Sequence, residues 1–436
     1  MAPGRAARDA AVALLTAVLD DGRTLDGSLD PYSGLSTYRA LPDRDRRLAH
    51  AIAATALRRH GETAAILSRL ITKPPGKRTG PLMRIIEIAA AQILYMGIAD
   101  HAAVSTAIDQ VGDDHTAQHF KGLANAVLRR LARERDAILA DLDGPRLATP
   151  DWLWQRWTSS YGETTTRAIA ATHLVEPSLD LSVASDAEGW AGKLGGIVLP
   201  TGSVRLVPSG PVDALPGFAE GAWWVQDAAA AIAPRLLGDV RGKRVADLCA
   251  APGGKTAALA LAGAEVTAVD ASPERLKRLA ANLARLRLTA DTVAADILQW
   301  APAETFEAVL LDAPCTATGT IRRHPDIAWL KKPADINSLS AIQAKMIDRA
   351  ATFLKPGGAL VYCTCSLEPE EGEAQMRRAL ATGAWSLSPI DPGEVAGFAA
   401  ILTPDRAVRT LPSQMPDDNP RLAGLDGFFM MRLIKA

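Results

Sequence analysis

The sequence predicts an α/β protein in which an all-helical N-terminal region precedes a larger region of alternating strands and helices. Over residues 1–140, apolar residues recur at three-to-four spacing and no strand–helix alternation occurs. From about residue 217, apolar runs of strand length alternate with amphipathic runs of helix length, which is typical of an open, mostly parallel sheet. Residues 141–216 lie between the two and predict a small α+β segment, with strands at Leu179–Val183 and 203–207.

The N-terminal region divides into amphipathic runs separated by glycine and proline. These runs are 10–19, 46–58, 63–70, 82–95, 104–111 and 122–131. Helices of this length with one apolar face bury that face against each other, so we expect a helical bundle. A chain of 436 residues has room for this bundle, the small α+β segment and an α/β domain over 217–436.

Composition excludes several classes of protein. Hydrophobic residues make up 48% and charged residues 22%, as in ordinary globular domains. No apolar run reaches membrane-spanning length, and residues 10–19 fit an amphipathic first helix better than a signal peptide. Four cysteines without a C-x-x-C pair predict neither a disulfide framework nor a structural zinc site. We therefore expect a cytoplasmic protein that binds no metal.

The stretch from residue 245 to residue 262 predicts a ligand pocket. Residues 245–248 read as a buried strand, Pro252-Gly253-Gly254 as a tight turn, and 256–262 as a helix. Glycines allow the backbone to approach a ligand closely, and a helix N-terminus favours anionic groups. The residues Gly254-Lys255-Thr256 resemble the end of a phosphate-binding loop, but Cys249 stands where that loop needs glycine. A nucleotide triphosphatase is therefore disfavoured, and the G-x-G-x-x-G dinucleotide pattern is absent.

Three aspartates follow successive predicted strands. Asp270 ends the strand at 265–269, Asp296 lies just beyond Asp291–Ala294, and Asp312 follows 306–311. Each one alone is equally well explained as a helix cap or a turn residue. Ligands bind open α/β sheets at the carboxyl ends of the strands, and a carboxylate at the end of the second strand suits a ribose diol. Three aspartates in the same register therefore favour a ligand site.

Five motifs together resemble the S-adenosylmethionine-dependent RNA cytosine-C5 methyltransferases of the Fmu/Sun type. With the N-terminal region included, the resemblance extends over nearly the whole chain, and it is strongest to bacterial 16S rRNA members that carry a NusB-like domain. It implies a Rossmann-like methyltransferase domain, S-adenosyl-L-methionine as cofactor, and modification of the cytosine at position 967 of 16S rRNA. The motifs are Asp247-Leu-Cys-Ala-Ala-Pro-Gly-Gly-Lys-Thr256, Asp312-Ala-Pro-Cys-Thr-Ala-Thr-Gly319, Ile321-Arg-Arg-His-Pro-Asp326, Tyr362-Cys-Thr-Cys-Ser366 and Asp426-Gly-Phe-Phe429.

The N-terminal bundle resembles the NusB RNA-binding fold. Its matching pieces are Asp43-Arg-Asp-Arg-Arg47, residues 81–95 and residues 122–130. The region is mildly basic, which is compatible with a nucleic-acid partner. Candidate contacts to phosphate, each equally well explained as an ordinary surface arginine, are Arg46, Arg47, Arg129 and Arg130.

Methylation of cytosine at carbon 5 calls for a nucleophilic thiol. A thiolate that adds to carbon 6 makes carbon 5 reactive towards the methyl donor. Cys315 and Cys365 follow the fourth and fifth predicted strands, and their spacing alone does not decide which one attacks. The resemblance assigns the attack to Cys365 and product release to Cys315, and it implies that Asp312 binds the cytosine edge. Cys249 and Cys363 are expected to be inert.

The resemblance also distributes the cofactor contacts. It implies that Asp270 binds the ribose, that Asp296 lies on the adenine side, and that Asp312 lies near the sulfonium. Lys255 is expected to pair with the methionine carboxylate or with an aspartate. The methionine end and the turn are assigned to Cys249, Ala250, Ala251, Pro252, Gly253, Gly254 and Lys255.

Three further features bear on RNA binding. Residues 322–324 (Arg-Arg-His) are interpreted as a loop that binds the substrate backbone, with a structural ion pair as the alternative. Trp152, Trp154 and Trp157 are interpreted as core residues rather than as a base-stacking platform. In the strand Leu179–Val183 and just beyond it, Ser182 and Ala184 stand where the family usually has arginine and asparagine, which weakens an RNA role there.

The resulting hypothesis is a monomeric methyltransferase that acts on 16S rRNA, either free or early in assembly, without a membrane partner. The alternative is a non-catalytic RNA-binding assembly factor with a vestigial cofactor fold. The presence of Cys315, Cys365 and Asp312 argues against that alternative, because a vestigial site would not need all three.

Overall fold

The computed structural model describes residues 4–76, 78–207, 210–396 and 398–436. The chain forms two compact units. The first contains Met1–Leu174 and the segment Ile321–Lys331, and the second contains Val175–Thr320 and Lys332–Ala436. The domain boundaries expected at residues 140 and 216 stay a prediction.

The first unit is helical, as the sequence predicts. Its core consists of small and branched apolar side chains, with alanine frequent where helices approach closely. A 3₁₀ turn lies at Ala117–Phe120. The α-helices of this unit are α1 (Arg5–Leu19), α2 (Leu25–Leu29), α3 (Ser36–Arg39), α4 (Asp43–Arg58), α5 (His60–Leu70), α6 (Leu82–Tyr95), α7 (Asp100–Asp113), α8 (Lys121–Arg133), α9 (Arg135–Ala140), α10 (Gly144–Leu147), α11 (Asp151–Tyr161) and α12 (Glu163–His173).

Helix α6 is the central helix of this unit. Eleven of its fourteen residues are buried, including Glu87 and Gln92. A helix that is apolar on nearly all sides must be surrounded by other helices. Its two polar residues are paired: the Gln92 Oε1 atom accepts a hydrogen bond from Arg8 Nε at 2.7 Å, and Glu87 pairs with Arg84 and His60. The hydrophobic run 82–95 therefore encodes the centre of the bundle.

In the sequence, residues of the second unit flank the segment Ile321–Lys331 on both sides, but the segment itself packs within the first unit. The Trp329 indole N–H donates a hydrogen bond to the Leu57 carbonyl at 2.9 Å, and the Asp326 carboxylate accepts one from the Leu25 amide at 2.9 Å. Arg322 is buried, so the interpretation of this side chain as an RNA contact is wrong. His324 lies 3.3 Å from the Asp26 carboxylate, which fits the structural alternative.

A small antiparallel sheet opens the second unit. It consists of β1 (Leu179–Val183), β2 (Ile197–Val198), β3 (Val204–Leu206) and β4 (Trp223–Val225) in the order β2-β3-β1-β4, with helix α13 (Ala187–Leu194) beside it. Both strands expected in this segment are present. A fully buried ion pair joins β3 to β1, with Arg205 Nε 2.7 Å from Asp180 Oδ1.

The large sheet carries the site. Its order is β10-β12-β9-β8-β5-β6-β7, and β11 also pairs with β12. The five strands β5 to β9 are parallel, and β12 runs antiparallel to β9. The strands are β5 (Arg244–Leu248), β6 (Glu265–Asp270), β7 (Asp291–Ala294), β8 (Phe306–Asp312), β9 (Leu354–Thr364), β10 (Trp385–Leu387), β11 (Val408–Thr410) and β12 (Phe428–Lys435).

The C-terminal strand differs from its expected place in the sheet. The sequence predicts that residues 427–433 enter as an antiparallel edge strand. The antiparallel pairing is observed, but β12 is an interior strand because β10 covers its other side. The expectation of an edge is therefore wrong. Strand β10 has only three residues and no distinctive pattern, so its pairing depends on tertiary contacts.

Helices cover the large sheet, and their starts are encoded locally. Helix α16 begins at Pro273, and the Ser272 hydroxyl accepts a hydrogen bond from the Arg275 amide at 3.3 Å. Four leucines at helical spacing form the buried face of α16. The remaining α-helices are α14 (Ile232–Arg235), α15 (Gly254–Leu261), α16 (Pro273–Leu286), α17 (Ile327–Leu330, within the segment of the first unit), α18 (Pro333–Phe353) and α19 (Glu373–Ala381). Short 3₁₀ turns lie at Val212–Ala214, Thr318–Thr320, Pro369–Glu371, Pro392–Val395 and Ala399–Ile401.

Candidate active site

A cavity of about 350 Å³ lies at the carboxyl ends of the parallel strands of the large sheet. This is the edge at which open α/β sheets bind ligands. The predicted site residues that line it come from the loops after β5, β6, β7, β8 and β9. They are Cys249, Ala251, Asp270, Asp296, Asp312, Cys315 and Cys365. The register of aspartates and cysteines in the sequence therefore corresponds to one cavity.

The turn after β5 forms one wall of the cavity. Cys249 has a positive φ of 61°, and Gly253 has a φ of 102° immediately before helix α15. A Cβ atom on Gly253 would lie 2.8 Å from the Cγ atom of Leu279, so only glycine fits there. Gly254 is the first residue of α15. The predicted residues that are not part of the cavity lining are Ala250, Pro252, Gly253, Gly254 and Lys255.

Asp270 is buried at the end of β6 and has backbone partners. Its Oδ1 atom accepts a hydrogen bond from the Ser272 amide at 2.9 Å, and Oδ2 accepts one from the Ala251 amide at 3.2 Å. Arg275 Nη1 lies 3.3 Å from Oδ2. Asp296 is exposed and accepts a hydrogen bond from the Leu298 amide at 2.9 Å. Both aspartates thus stabilise local turns and also line the cavity.

Lys255 pairs with Asp312. Its ammonium lies 2.6 Å from the Asp312 Oδ2 atom, and only 11% of the lysine side chain is exposed. Burial opposes the charged form of Lys255, but the Asp312 carboxylate outweighs burial and raises the pKa of the ammonium. The Cys363 thiol donates a hydrogen bond to Asp312 Oδ1 at 3.4 Å. The expected partner of Lys255, an aspartate, is therefore present, and Asp312 is held by contacts to both of its oxygens.

Asp247, the first residue of the motif that ends at Thr256, is a fully buried acid to which the sequence analysis assigned no role. Its Oδ2 atom accepts a hydrogen bond from the Thr256 hydroxyl at 2.6 Å, whereas Oδ1 has no partner among the described residues. Burial raises the pKa of Asp247 to about 7, against the hydrogen bond from Thr256, which lowers it. Burial therefore favours the protonated form of this carboxyl group far more than solvent does for an exposed aspartate.

The two candidate thiols are adjacent. The sulfur atoms of Cys315 and Cys365 lie 3.5 Å apart, and both line the cavity. The hydrogen bond with Cys365, followed by burial, raises the pKa of the Cys315 thiol well above its usual value. Burial also raises the pKa of Cys249 and of Cys363, which lies beside the Asp312 carboxylate. Raised pKa values disfavour the thiolate forms of Cys249 and Cys363, and the expectation that these two thiols are inert stays a prediction.

A buried carboxylate that the sequence analysis missed connects the two cysteine loops. Glu371 is fully buried, and its side chain accepts hydrogen bonds from Thr316, Ser366 and Gln343. Thr316 follows Cys315 in the sequence, and Ser366 follows Cys365. Burial raises the pKa of Glu371, and these hydrogen bonds oppose the rise. The acidic run Glu368-Pro-Glu-Glu371 after the Thr-Cys-Ser motif was the available signal.

Other candidate features lie in the first unit. Trp157 is buried against His173, with ring centroids 5.7 Å apart, which agrees with its interpretation as a core residue. Trp152 and Trp154 are partly exposed, and Arg146 and Arg167 stack over Trp154. Among the described residues, no group of three or more His, Cys, Asp or Glu side chains is arranged to hold a metal ion.

The family of this chain is shown by its similarity to known proteins. Residues 234–434 match the family model of the 16S rRNA methyltransferase RsmB/F, and residues 5–133 match that of the NusB family. The ribosomal RNA small subunit methyltransferase B of Cronobacter sakazakii is 33% identical over 98% of both chains. This chain belongs to the RsmB/F family. The protein of the same name from Klebsiella pneumoniae is 34% identical, again over 98% of both chains.

Solved structures agree with the fold of this RsmB/F family member. The crystal structure of PH0851 covers 100% of this chain with a TM-score of 0.75 at 22% identity. A methyltransferase homologue from Pyrococcus horikoshii covers 65% of this chain and 94% of its own, with a TM-score of 0.53 at 26% identity. The chain is an S-adenosylmethionine-dependent methyltransferase with a Rossmann-like domain preceded by a NusB domain. In the described part of the chain, no helix is both long and apolar enough for a membrane span.

Proposed function

We propose that this protein transfers a methyl group from S-adenosylmethionine to carbon 5 of a cytosine in 16S rRNA, namely the cytosine equivalent to position 967. The proposed reaction proceeds through a covalent adduct between a cysteine and carbon 6 of the base. The observation that carries the proposal is the pair of thiols, 3.5 Å apart, on the wall of the cavity. Methyl transfer to an oxygen or an exocyclic nitrogen needs no cysteine. Two adjacent cysteines at the reacting edge favour the carbon-5 reaction, in which one thiol must bind the ring and leave again.

The proposed reaction begins at Cys365. Its thiolate adds to carbon 6 of the cytosine, and the electron pair of the 5,6 double bond moves to carbon 5. Carbon 5 accepts the methyl group, a base removes the hydrogen that carbon 5 carried, and the returning electron pair restores the double bond as the Cys365 sulfur leaves. The ring exchanges one hydrogen for one methyl group, and the enzyme returns to its initial state.

The other residues of the site support these steps. The Asp312 carboxylate, fixed by Lys255 and Cys363, binds the amino edge of the cytosine and orients the ring. Cys315 lies within hydrogen-bonding distance of Cys365, and its raised pKa keeps it as a neutral thiol. A neutral thiol in this position can donate a hydrogen bond to the departing thiolate, which assists product release.

The residues around the cavity fit S-adenosylmethionine, which supplies the methyl group when it is bound. Asp270 provides acceptors for the ribose hydroxyls at the end of β6, and Asp296 lies beyond β7 on the adenine side. From the turn after β5, Cys249 and Ala251 line the cavity, which favours this turn for the methionine end. We assign the methionine end to residues 249–255.

For the RNA, we propose that the NusB domain provides binding area and that the target base leaves its stack to reach the cavity. A base held within a helix cannot present carbon 6 to a thiol. We further propose that the enzyme is a cytoplasmic monomer that uses no metal and that modifies 16S rRNA either free or in early assembly. The domain boundaries at residues 140 and 216 belong to this proposal.

The experiment is methylation in vitro followed by sequencing. The purified protein is incubated with S-adenosylmethionine and either protein-free 16S rRNA or assembled small subunits, and the RNA is sequenced after bisulfite treatment. We expect one protected cytosine in the protein-free RNA and a weaker signal in assembled subunits. Stable binding of the rRNA without any methylation would instead support the alternative, a non-catalytic assembly factor. Methylation of a nitrogen atom or of another base would contradict the proposed chemistry.

A further inference from the structure

Glu371 has no role in the chemistry described above, yet it is a fully buried carboxylate that accepts hydrogen bonds from the residues after the two cysteines, Thr316 and Ser366. It ends the 3₁₀ turn Pro369–Glu371, which follows the Cys365 loop. A buried carboxylate needs hydrogen-bond donors, because burial has removed the water molecules that would otherwise stabilise its charge. The donors that Glu371 has, and where they come from in the chain, indicate its role.

The donors belong to both cysteine loops. From the Cys315 loop, the Thr316 amide donates to Glu371 Oε1 at 3.0 Å, and the Thr316 hydroxyl donates to Oε2. From the Cys365 loop, the Ser366 hydroxyl donates to Oε2 at 2.5 Å. The residue that follows each thiol is therefore bound to the same carboxylate.

A third element completes the arrangement. Gln343 of helix α18 donates through Nε2 to Glu371 Oε1 and to the Pro314 carbonyl, both at 2.9 Å. The backbones also meet directly, because the Gly319 amide donates to the Cys365 carbonyl at 3.0 Å. Glu371 is the only side chain among the described hydrogen bonds that accepts from both Thr316 and Ser366. The two loops also touch through their own side chains, with Thr316 Oγ1 3.1 Å from Ser366 Oγ and the Leu367 amide donating to the Thr318 hydroxyl at 3.0 Å. Glu371 accepts from both hydroxyls of the first pair and so fixes their orientation.

We propose that Glu371 is a positioning residue, which fixes the Cys315 loop against the Cys365 loop and so keeps the two sulfur atoms in contact. The inference deepens the proposed function, since close thiols matter only if one assists the release of the other. The contact between the two sulfur atoms can nevertheless be tested without the methylation reaction.

The shape of the carboxylate explains why other side chains cannot replace it. All four contacts to Glu371 come from donors, namely one backbone amide, two hydroxyls and the Gln343 amide nitrogen. Glutamine would turn one acceptor into an NH₂ group that faces donors. Aspartate keeps both acceptors but is shorter by one methylene, so it cannot reach both loops at once. Glu371→Gln changes the charge at constant volume and is the main test variant.

Oxidation of the thiols measures the positioning directly. Diamide accepts two electrons and two protons from a pair of thiols, so a disulfide forms and the N=N bond of diamide becomes a hydrazine. The reaction is fast only if the two sulfurs can meet. Peptide mass spectrometry after diamide treatment identifies the Cys315–Cys365 disulfide and distinguishes it from pairs that involve Cys363. In Glu371→Gln, we expect the rate of formation of this disulfide to fall by about tenfold or more.

The matched control is Asp348→Asn. Asp348 on α18 pairs with Arg378 on α19, with Arg378 Nη1 3.1 Å from Oδ1, so it is an exposed carboxylate between elements that flank Glu371. This variant should form the disulfide at the wild-type rate. If Glu371→Gln does not fold, Thr316→Val and Ser366→Ala carry the same expectation, because each removes one hydroxyl donor to Glu371.

Kinetics separate positioning from a general loss of structure. Glu371→Gln should lower kcat by about 10- to 100-fold, as a displacement of catalytic groups by about 1 Å does, while KM for S-adenosylmethionine stays within about twofold. A folded Glu371→Gln protein with wild-type disulfide formation would overturn the inference. If the wild-type protein forms the disulfide rapidly but does not methylate RNA, the proposed function fails and the positioning role stands.

Discussion

Replacing Asp247 by asparagine removes a buried carboxyl group from strand β5, and the free energy of unfolding should then depend less on pH. The side chain is fully buried, and one of its oxygens has no partner among the described residues. Asparagine has nearly the same shape as the protonated acid and can still accept the hydrogen bond from Thr256. The variant therefore imitates the neutral state of Asp247 at every pH.

The magnitude follows from the two pKa values. Burial raises the pKa of Asp247 from 3.8 to about 7, so in this range the folded chain holds a proton that the unfolded chain has lost. Because the folded state binds more protons, stability falls as the pH rises from about 4 to about 7. A difference of about 3 pKa units corresponds to about 4 kcal/mol, and more than half of this change, about 2 to 3 kcal/mol, falls between pH 5 and pH 8.

Urea unfolding at pH 5 and pH 8 measures this difference. Pulsed hydrogen exchange at peptides from β5 and β8 restricts the measurement to the domain that contains Asp247, since two units need not unfold together. In Asp247→Asn, the difference in the free energy of unfolding between the two pH values should be smaller than in the wild type by about 2 to 3 kcal/mol. Asp291→Asn, which changes an exposed carboxylate of the same sheet, should keep the wild-type difference. An unchanged pH dependence in Asp247→Asn would refute the reasoning.

Two further substitutions test the cofactor side of the cavity and the Asp312 pair. Asp270→Ala should weaken S-adenosylmethionine binding by about tenfold or more in calorimetry, because hydrogen bonds to a charged group contribute about 1.5–3 kcal/mol each; unchanged affinity would remove Asp270 from the site. Lys255→Met leaves Asp312 without its cation and should lower the single-turnover methylation rate by about tenfold or more. The exposed Lys277→Met is its control, and equal rates in the two variants would contradict the role given to Lys255.

The sequence predicted the edge of the sheet better than its interior contacts. Asp270, Asp296, Asp312 and the cysteine loops could be assigned to one site because parallel strands end at the same edge. Local signals also sufficed for the start of α16, where a serine cap precedes a proline. Whether each side chain contributes to binding was not encoded in spacing, because Asp270 and Asp296 also complete local turns.

Long-range contacts account for what the sequence did not reveal. Glu371 lies 55 residues from Thr316 and 28 from Gln343, so no local pattern connects them. Arg322 follows a catalytic motif and has the composition of an exposed basic loop, yet its segment packs within the helical unit and the side chain is buried. Strand β10 is too short to predict, and its pairing makes β12 an interior strand.

The central claim is that Cys365 attacks carbon 6 and that Cys315 acts afterwards. The direct measurement is denaturing electrophoresis of labelled 16S rRNA after incubation with S-adenosylmethionine and the Cys365→Ala or Cys315→Ala protein. Cys315→Ala should accumulate a covalent protein–RNA species that survives denaturation, and Cys365→Ala should form none. A stable adduct in Cys365→Ala and none in Cys315→Ala would contradict the account and make Cys315 the nucleophile.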